Sequence, residues 1–210
     1  MKVLKPFLML CCCVAAVTFS SCLNENDNPS LKPEERKAAF QVIKGDYTGK
    51  LIYADPAKKK TSNKNDTLDV NWRVDTDTTL IVANFPSAPL AAYINNTELS
   101  AAIAKQPVQK LDCLIGIYGN SPITFLINPK VITYDKLEYG GKMHKVNIAF
   151  YINNRYSYGV YNKFSNAGKV EKTPTMRMQF IIGGVYVDGK LNNELLKKEI
   201  APVLVFKGKK

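Results

Sequence analysis

The stretch that decides the fold is DTLDVNWRV, residues 66–74. Apolar side chains alternate with polar ones along it, so the four apolar residues share one face, namely Leu68, Val70, Trp72 and Val74. A period of two indicates a β-strand with one face on a core and the other in solvent. Residues 79–85 form a second apolar strand, which ends before Pro86 because proline cannot donate to a strand ladder.

Further strands are predicted on both sides of this pair. Gly140 and Gly141 indicate a tight hairpin turn, and Asp188 and Gly189 indicate another. The pair Gly183 and Gly184 separates two short apolar segments. The predicted strands are residues 47–54, 110–118, 123–127, 131–139, 144–152, 156–161, 175–182, 185–187 and 202–206.

Four short helices are predicted. The first begins at Pro33, which suits an opening helical turn, and ends at Gly45. Residues 87–105 are rich in alanine and predict two helices, with Ser87 and Thr97 as their caps. A fourth helix is predicted at residues 193–200.

Strands in hairpin succession, with helices inserted in groups, predict an α+β fold rather than alternating βαβ units. We therefore expect an antiparallel meander sheet with the short helices packed on one side of it. The alternative is a partly closed β-barrel of the lipocalin-like kind. Either way, residues 34–210 are expected to form a single α+β domain, because this length buries a core without cross-links.

The amino terminus predicts a lipoprotein signal peptide at residues 1–21. Lys2 and Lys5 precede an apolar run of residues 7–17 that is too short to span a bilayer. Small residues then precede Cys22, and the ending FSSC resembles the bacterial lipobox, although Phe19 stands where leucine is usual. The resemblance implies acylation of Cys22 with palmitate-like chains, which would anchor the protein in a membrane without a spanning helix.

Residues 22–33 are polar and contain two prolines, so they predict a flexible tether. Glu25 and Asp27 follow the lipid-bearing cysteine closely and resemble the acidic signals that send lipoproteins of Bacteroidetes-type bacteria to the cell surface. We therefore expect a protein anchored by lipid in the outer membrane, on the cell surface rather than on the periplasmic face.

Several strings of the domain resemble a known family. They are YTGKLIY, the pairing of DTLDVNWRV with TTLIVANFP, FLINP, YGGKMHKVNIAF and IAPVLVF. They are similar to a family of Bacteroidetes lipoproteins catalogued only as a domain of unknown function. This resemblance implies the location and the single domain but no catalytic residue.

The chain of 210 residues carries 29 Lys plus Arg and 18 Asp plus Glu. Apart from Lys2 and Lys5 of the predicted signal peptide, the excess lies in residues 130–210, which hold 15 basic and 6 acidic side chains. A basic surface attracts anionic polymers, but no nucleic-acid-binding motif is present, so we expect no nucleic acid partner. The sequence does not tell whether these cations form one patch, and it leaves the oligomeric state open.

Residue types that carry catalysis are scarce. Cys113 is the only cysteine after Cys22, and His144 is the only histidine. Both share strand faces with apolar residues, so we expect a buried thiol and a structural histidine at the border of the core. No metal site and no cofactor are expected, because three or four suitable ligands are missing, and an enzyme is the less favoured interpretation.

Tyrosines concentrate near the segment RYSYGVY, residues 155–161. Tyr156 and Tyr158 are expected on one face of a strand, with Tyr161 following and Arg155 beside them. Flat rings with nearby polar donors suit a sugar face or a peptide, although aromatics also occur in strands for packing alone. These four residues are the candidate ligand-binding residues.

Three functions remain open at this point. The first is a non-enzymatic cell-envelope lipoprotein that binds a glycan, a peptide or an envelope component. The second is a structural or accessory subunit that docks on another outer-membrane protein. The third is a hydrolase with an unrecognised site. An exposed aromatic cleft would favour the first, and a flat apolar patch would favour the second.

Overall fold

The computed structural model describes residues 31–55, 65–164 and 170–210, and most of them form antiparallel strands. The predicted signal peptide, Cys22 and most of the tether lie outside the described residues. The helices are α1 (Pro33–Ile43), α2 (Ala88–Ala92), α3 (Thr97–Ala104) and a 3-10 turn (Asn193–Leu195). The strands are β1 (Gly45–Ala54), β2 (Asn65–Thr76), β3 (Thr79–Phe85), β4 (Gln109–Asn120), β5 (Ile123–Pro129), β6 (Ile132–Tyr139), β7 (Lys142–Phe150), β8 (Tyr158–Phe164), β9 (Val170–Val187), β10 (Lys190–Leu191) and β11 (Val203–Lys209).

Eight of the strands close into a barrel. The order is β1, β2, β3, β4, β5, β8, β9 and β11, and β11 pairs with both β9 and β1. The predicted antiparallel meander is correct for β1 to β5, which are neighbours in chain order. The prediction that all helices pack on one side of an open sheet is wrong, because the sheet closes on itself; α3 alone packs against a strand, β6, that lies outside the barrel. The barrel alternative fits the structure, although the barrel is closed rather than partly closed.

The helices cover the two ends of the barrel. At one end α1 leads directly into β1, and the hydroxyl of Tyr47 donates to the carbonyl of Ile43 at 2.6 Å. At the other end α2 and α3 follow β3. There the hydroxyl of Tyr93 accepts from the amide of Ala54 at 2.9 Å and donates to the carbonyl of Val203 at 2.8 Å. A single phenol thus joins α2 to the end of β1 and the start of β11.

Side chains fill the barrel interior. The Tyr47 and Trp72 rings stack with centroids 5.6 Å apart, and the Phe206 ring meets Trp72 edge-on at 6.3 Å. Two inward positions are glycine because rings occupy the space. A Cβ on Gly159 would lie 2.1 Å from the ring of Phe125. A Cβ on Gly208 would lie 2.3 Å from the Trp72 ring and 2.4 Å from a backbone oxygen.

Strand β9 belongs to two sheets. Residues up to Ile181 pair with β11 in the barrel wall. Residues Ile182 to Val187 pair with β7 instead, and β6, β7 and β10 form a small sheet that extends from the barrel. Gly183 and Gly184 therefore lie within one continuous strand of 18 residues and do not end it. The register shifts beside them, between Ala149 and Phe150 of β7.

Most other local predictions agree with the structure, and three do not. Ser87 precedes α2, but its side chain forms no cap hydrogen bond and instead contacts the hydroxyl of Tyr134 at 2.9 Å. The side chain of Asn96, not of Thr97, accepts the cap hydrogen bond of α3, from the amide of Leu99 at 2.8 Å. Residues 193–200 form only the short 3-10 turn, because Leu196 and Lys197 contact the residues that directly follow α2. The structure pairs Ile94 with Leu196, and the amide of Lys197 donates to the carbonyl of Tyr93 at 2.9 Å.

Candidate functional site

The four predicted ligand-binding residues lie in two places. Arg155 and Tyr156 belong to an exposed turn before β8, and Tyr158 begins β8 on the outer side of the barrel. Tyr161 faces inward and is only 8% exposed. The prediction that Tyr156 and Tyr158 share one strand face is wrong, because residue 156 precedes the strand.

The turn is held by Asn153. Its side-chain oxygen accepts from the amides of Arg155 and Tyr156, at 2.9 and 3.1 Å. Its carbonyl accepts from the amides of Tyr156 and Ser157. Ser157 is buried and its hydroxyl donates to the carbonyl of Tyr151. Asparagine favours such turns because its side chain imitates a backbone hydrogen bond, so the turn presents Tyr156 in a defined position.

Tyr151 is the partner that the predicted set omits. Its ring lies 5.3 Å from the ring of Tyr156, tilted by 42°. The two residues are 49% and 41% exposed, so much of this ring pair is open to a ligand. The amide of Tyr151 donates to the carbonyl of Ile181 at 2.9 Å, which holds this segment against β9. The tyrosine cluster in the sequence signals the residue, but only folding places its ring beside Tyr156.

Gln179 connects the turn with the barrel wall. It lies opposite Tyr158 in the register of β8 and β9, and its side-chain amide donates to the carbonyl of Tyr156 at 3.3 Å. Tyr156 and Tyr158 thus lie on the same outer side of the barrel although they do not share a strand. We name this surface the tyrosine face and define it by Tyr151, Tyr156, Tyr158 and Gln179.

Tyr161 belongs to the opposite end of the barrel, near α1. It lines a pocket of about 470 Å³ whose other lining residues are Val42, Asn120, Ser121, Pro122, Ile123 and Asn162. The amino group of Lys210 lies 5.8 Å from the Tyr161 ring centroid and 2.6 Å from the carbonyl oxygen of Val42. Burial raises the pKa of Tyr161 and lowers the pKa of Lys210. Tyr161 is therefore separate from the tyrosine face.

His144 is held by neighbouring side chains, and Cys113 lies in the core. The His144 ring nitrogen Nδ1 lies 2.8 Å from a carboxylate oxygen of Asp188, and its ring centroid lies 4.4 Å from that of Tyr139. The hydrogen bond to His144 lowers the pKa of Asp188. Cys113 is buried, and this burial raises the pKa of its thiol. The predictions of a bordering histidine and a buried thiol are confirmed.

Within residues 31–55, 65–164 and 170–210, no three His, Cys, Asp or Glu side chains come together as a metal site. Over the same residues, no helix combines the length and the apolar character needed to cross a membrane.

Comparison with known proteins identifies the family. No curated protein matches the chain, and no solved structure matches it. Residues 42–187 match the family described as Domain of unknown function (DUF4840), a span that runs from the end of α1 to the end of β9 and excludes β11. Since this match covers more than half of the chain, the protein belongs to the DUF4840 family of unknown function.

Proposed function

We propose that this protein is a non-enzymatic cell-envelope lipoprotein whose tyrosine face binds a glycan. In this proposal acyl chains on Cys22 anchor it in the outer membrane, and the tether carries the domain at the cell surface. The carrying observation is the ring pair of Tyr151 and Tyr156, which remains exposed on a turn fixed by Asn153.

The surroundings of the ring pair suit a sugar better than an apolar ligand. A tyrosine ring offers a flat apolar surface and a hydroxyl that forms hydrogen bonds at its edge. Gln179 adds a side-chain amide next to the backbone of Tyr156, and Arg155 adds an exposed cation on the same turn. The turn is organised by hydrogen bonds within the protein, so binding orders few side chains, which reduces the entropic cost of association.

The first experiment tests the rings. The chain, purified in detergent, is titrated with maltoheptaose, oligogalacturonate and muropeptides by calorimetry. We expect Tyr151→Ala/Tyr156→Ala to weaken the binding of the preferred saccharide by about tenfold or more, which corresponds to about 1.4 kcal/mol. The matched control is Tyr118→Ala, because Tyr118 is 46% exposed on β4, outside the tyrosine face. Equal losses in both variants, or none, would contradict the proposal.

The second experiment tests the anchor. Cys22→Ser removes the sulfur that the acyl chains would occupy, so the protein should move from the membrane fraction to the soluble fraction. In a separate assay, protease added to intact cells should digest the wild-type protein, because the proposal places the domain at the cell surface. A Cys22→Ser protein that stays in the membrane fraction would contradict lipid anchoring.

One observation favours the accessory-subunit alternative. The outer side of β4 exposes Leu114 and Tyr118, at 51% and 46%, and a Cβ on the nearby Gly116 would meet no atom within 4 Å. Exposed apolar patches often mark protein interfaces. If Leu114→Ser/Tyr118→Ser abolished co-purification of an outer-membrane protein while saccharides failed to bind, this alternative would replace the first.

A further inference from the structure

The barrel wall next to the tyrosine face carries a row of cations. In the register of β1, β11 and β9, Lys50 lies opposite Lys207, and Lys207 lies opposite Arg177. All three side chains point outward and are exposed. Adjacent strands are about 4.8 Å apart, so the three charged residues follow each other across the wall. We name them the basic row.

The positive charge of this row is only partly compensated. Lys50 forms an ion pair with Asp69 at 2.7 Å. Within the part of the chain that the structure describes, Lys207 and Arg177 form no ion pair. Like charges directly opposite each other on neighbouring strands destabilise a sheet. The wall therefore maintains a local positive potential at a cost to its own stability.

The basic row and the tyrosine face are adjacent. Gln179 follows Arg177 by two residues, so both point outward from β9. Gln179 lies opposite Tyr158 on one side and Val205 on the other, in the next outward row. Long side chains reach diagonal neighbours across such rows. Arg177 is thus one row away from Tyr158, and the cations and the rings can contact one extended ligand.

We propose that the basic row and the tyrosine face form one binding site for an acidic polysaccharide that carries carboxylates. This inference rests on the proposed glycan-binding function and specifies its ligand class. The planar guanidinium of Arg177 binds a carboxylate with two parallel hydrogen bonds. Lys207 supplies a second charge, and the rings stack on the sugar that follows. A lipid surface fits less well, because the outward valines beside the cations, Val160 and Val205, are half-buried and offer little apolar surface to insert into a membrane.

The test compares two variants with the same loss of charge. Lys207→Gln/Arg177→Gln changes the wall, and Lys136→Gln/Lys142→Gln changes two exposed lysines of the β6 and β7 hairpin. Each full-length protein is titrated with oligogalacturonate and with neutral dextran of similar length, at low and high salt. Melting temperatures verify that both variants fold.

We expect the wall variant to bind oligogalacturonate at least about tenfold more weakly than the wild type does. This is the effect of losing one hydrogen bond to a charged group, which contributes ~1.5 kcal/mol or more. The hairpin variant should change binding less than about twofold, because charges beyond a Debye length of about 10 Å are screened. The wild type should bind dextran more weakly than oligogalacturonate, and high salt should reduce this preference.

Other results would overturn the inference in distinguishable ways. Equal binding of dextran and oligogalacturonate, dependent on Tyr151 and Tyr156 but unaffected in the wall variant, would leave the glycan function intact and remove the acidic ligand. Binding of neither saccharide would overturn the acidic ligand, and it would contradict the glycan function as well if maltoheptaose and muropeptides also failed to bind. Tighter binding of inorganic polyphosphate or of phosphatidylglycerol vesicles, with the same loss in the wall variant, would replace the polysaccharide with a phosphate ligand.

Discussion

The inner and outer sides of β8, β9 and β11 are built from the same strands but differ in the types of residue they carry. The described inward residues are mostly apolar and buried, and the rings of Phe180 and Phe206 lie 4.6 Å apart. Outward residues combine tyrosine, glutamine and facing cations, with Lys207 opposite Arg177. Since successive side chains point to opposite faces, one strand carries both patterns without conflict.

The inward residues stabilise the barrel, whereas the outward residues are available for binding. An inward position has no spare volume, so a small change of size costs stability. An outward position faces water, and its charges cost little because solvent screens them. We expect that substitutions inside mainly change folding and that substitutions outside mainly change binding.

The largest effect is expected for Gly208→Ala. The added methyl would lie 2.3 Å from the Trp72 ring and 2.4 Å from the carbonyl oxygen of Thr48, so the backbone or the indole must move. Overpacking of this kind costs about 1–3 kcal/mol, and the midpoint of urea unfolding should fall accordingly. The control is Gly116→Ala on the outer wall, where a Cβ meets nothing within 4 Å. Equal losses in both variants would remove the distinction between the two sides.

An intermediate effect is expected from alkaline pH. Burial and Asp66, whose carboxylate accepts from the Tyr53 hydroxyl at 3.2 Å, raise the pKa of Tyr53 to about 12. Because this pKa is higher in the folded state than the unfolded value of 10.0, the protonated Tyr53 hydroxyl stabilises the fold. This stabilisation is complete below pH 10 and is lost as the pH rises towards 12. Urea midpoints should therefore fall over this interval. Tyr53→Phe should make the fall shallower, and an unchanged slope would contradict the assignment to Tyr53.

The smallest effect is expected for Lys207→Gln, and it has the opposite sign. Removal of the repulsion with Arg177 should raise the free energy of unfolding by about 0.2–1 kcal/mol at low salt. At ~1 M salt the gain should disappear, because the Debye length shrinks to about 3 Å. Lys142→Gln, in the hairpin, should show no such gain. A loss of stability in Lys207→Gln would mean that the facing cations do not repel each other.

The local elements were predictable because their signals are local. Alternation along residues 66–74 correctly predicted β2 and its buried face, and Pro86 correctly marked the end of β3. The prediction at residues 193–200 was wrong because contacts with Tyr93 and Ile94, which follow α2 and are far away in the chain, outweighed helix propensity. Closure was not decidable either, since β11 must pair with a strand about 150 residues earlier, and its own pattern does not indicate which strands lie beside it.

The candidate site was predictable only in part. The cluster of tyrosines pointed to Tyr156 and Tyr158, which both lie on the outer side. Tyr161 differs because its position along β8 has the inward parity, and the Asn153 turn shifts Tyr156 off the strand. Arg177 and Gln179 join this surface through the register of β8 with β9, and no sequence pattern states that register.

By itself the sequence determined the strand character of most segments, the buried face of each and the scarcity of catalytic residue types, because these depend on composition and on a period of two. The tertiary structure alone decided that the sheet closes, that helices cover both ends, and that Lys50, Lys207 and Arg177 stand side by side. Pairing between distant strands depends on the total burial and hydrogen bonding of the folded chain. It therefore cannot be read from any one segment.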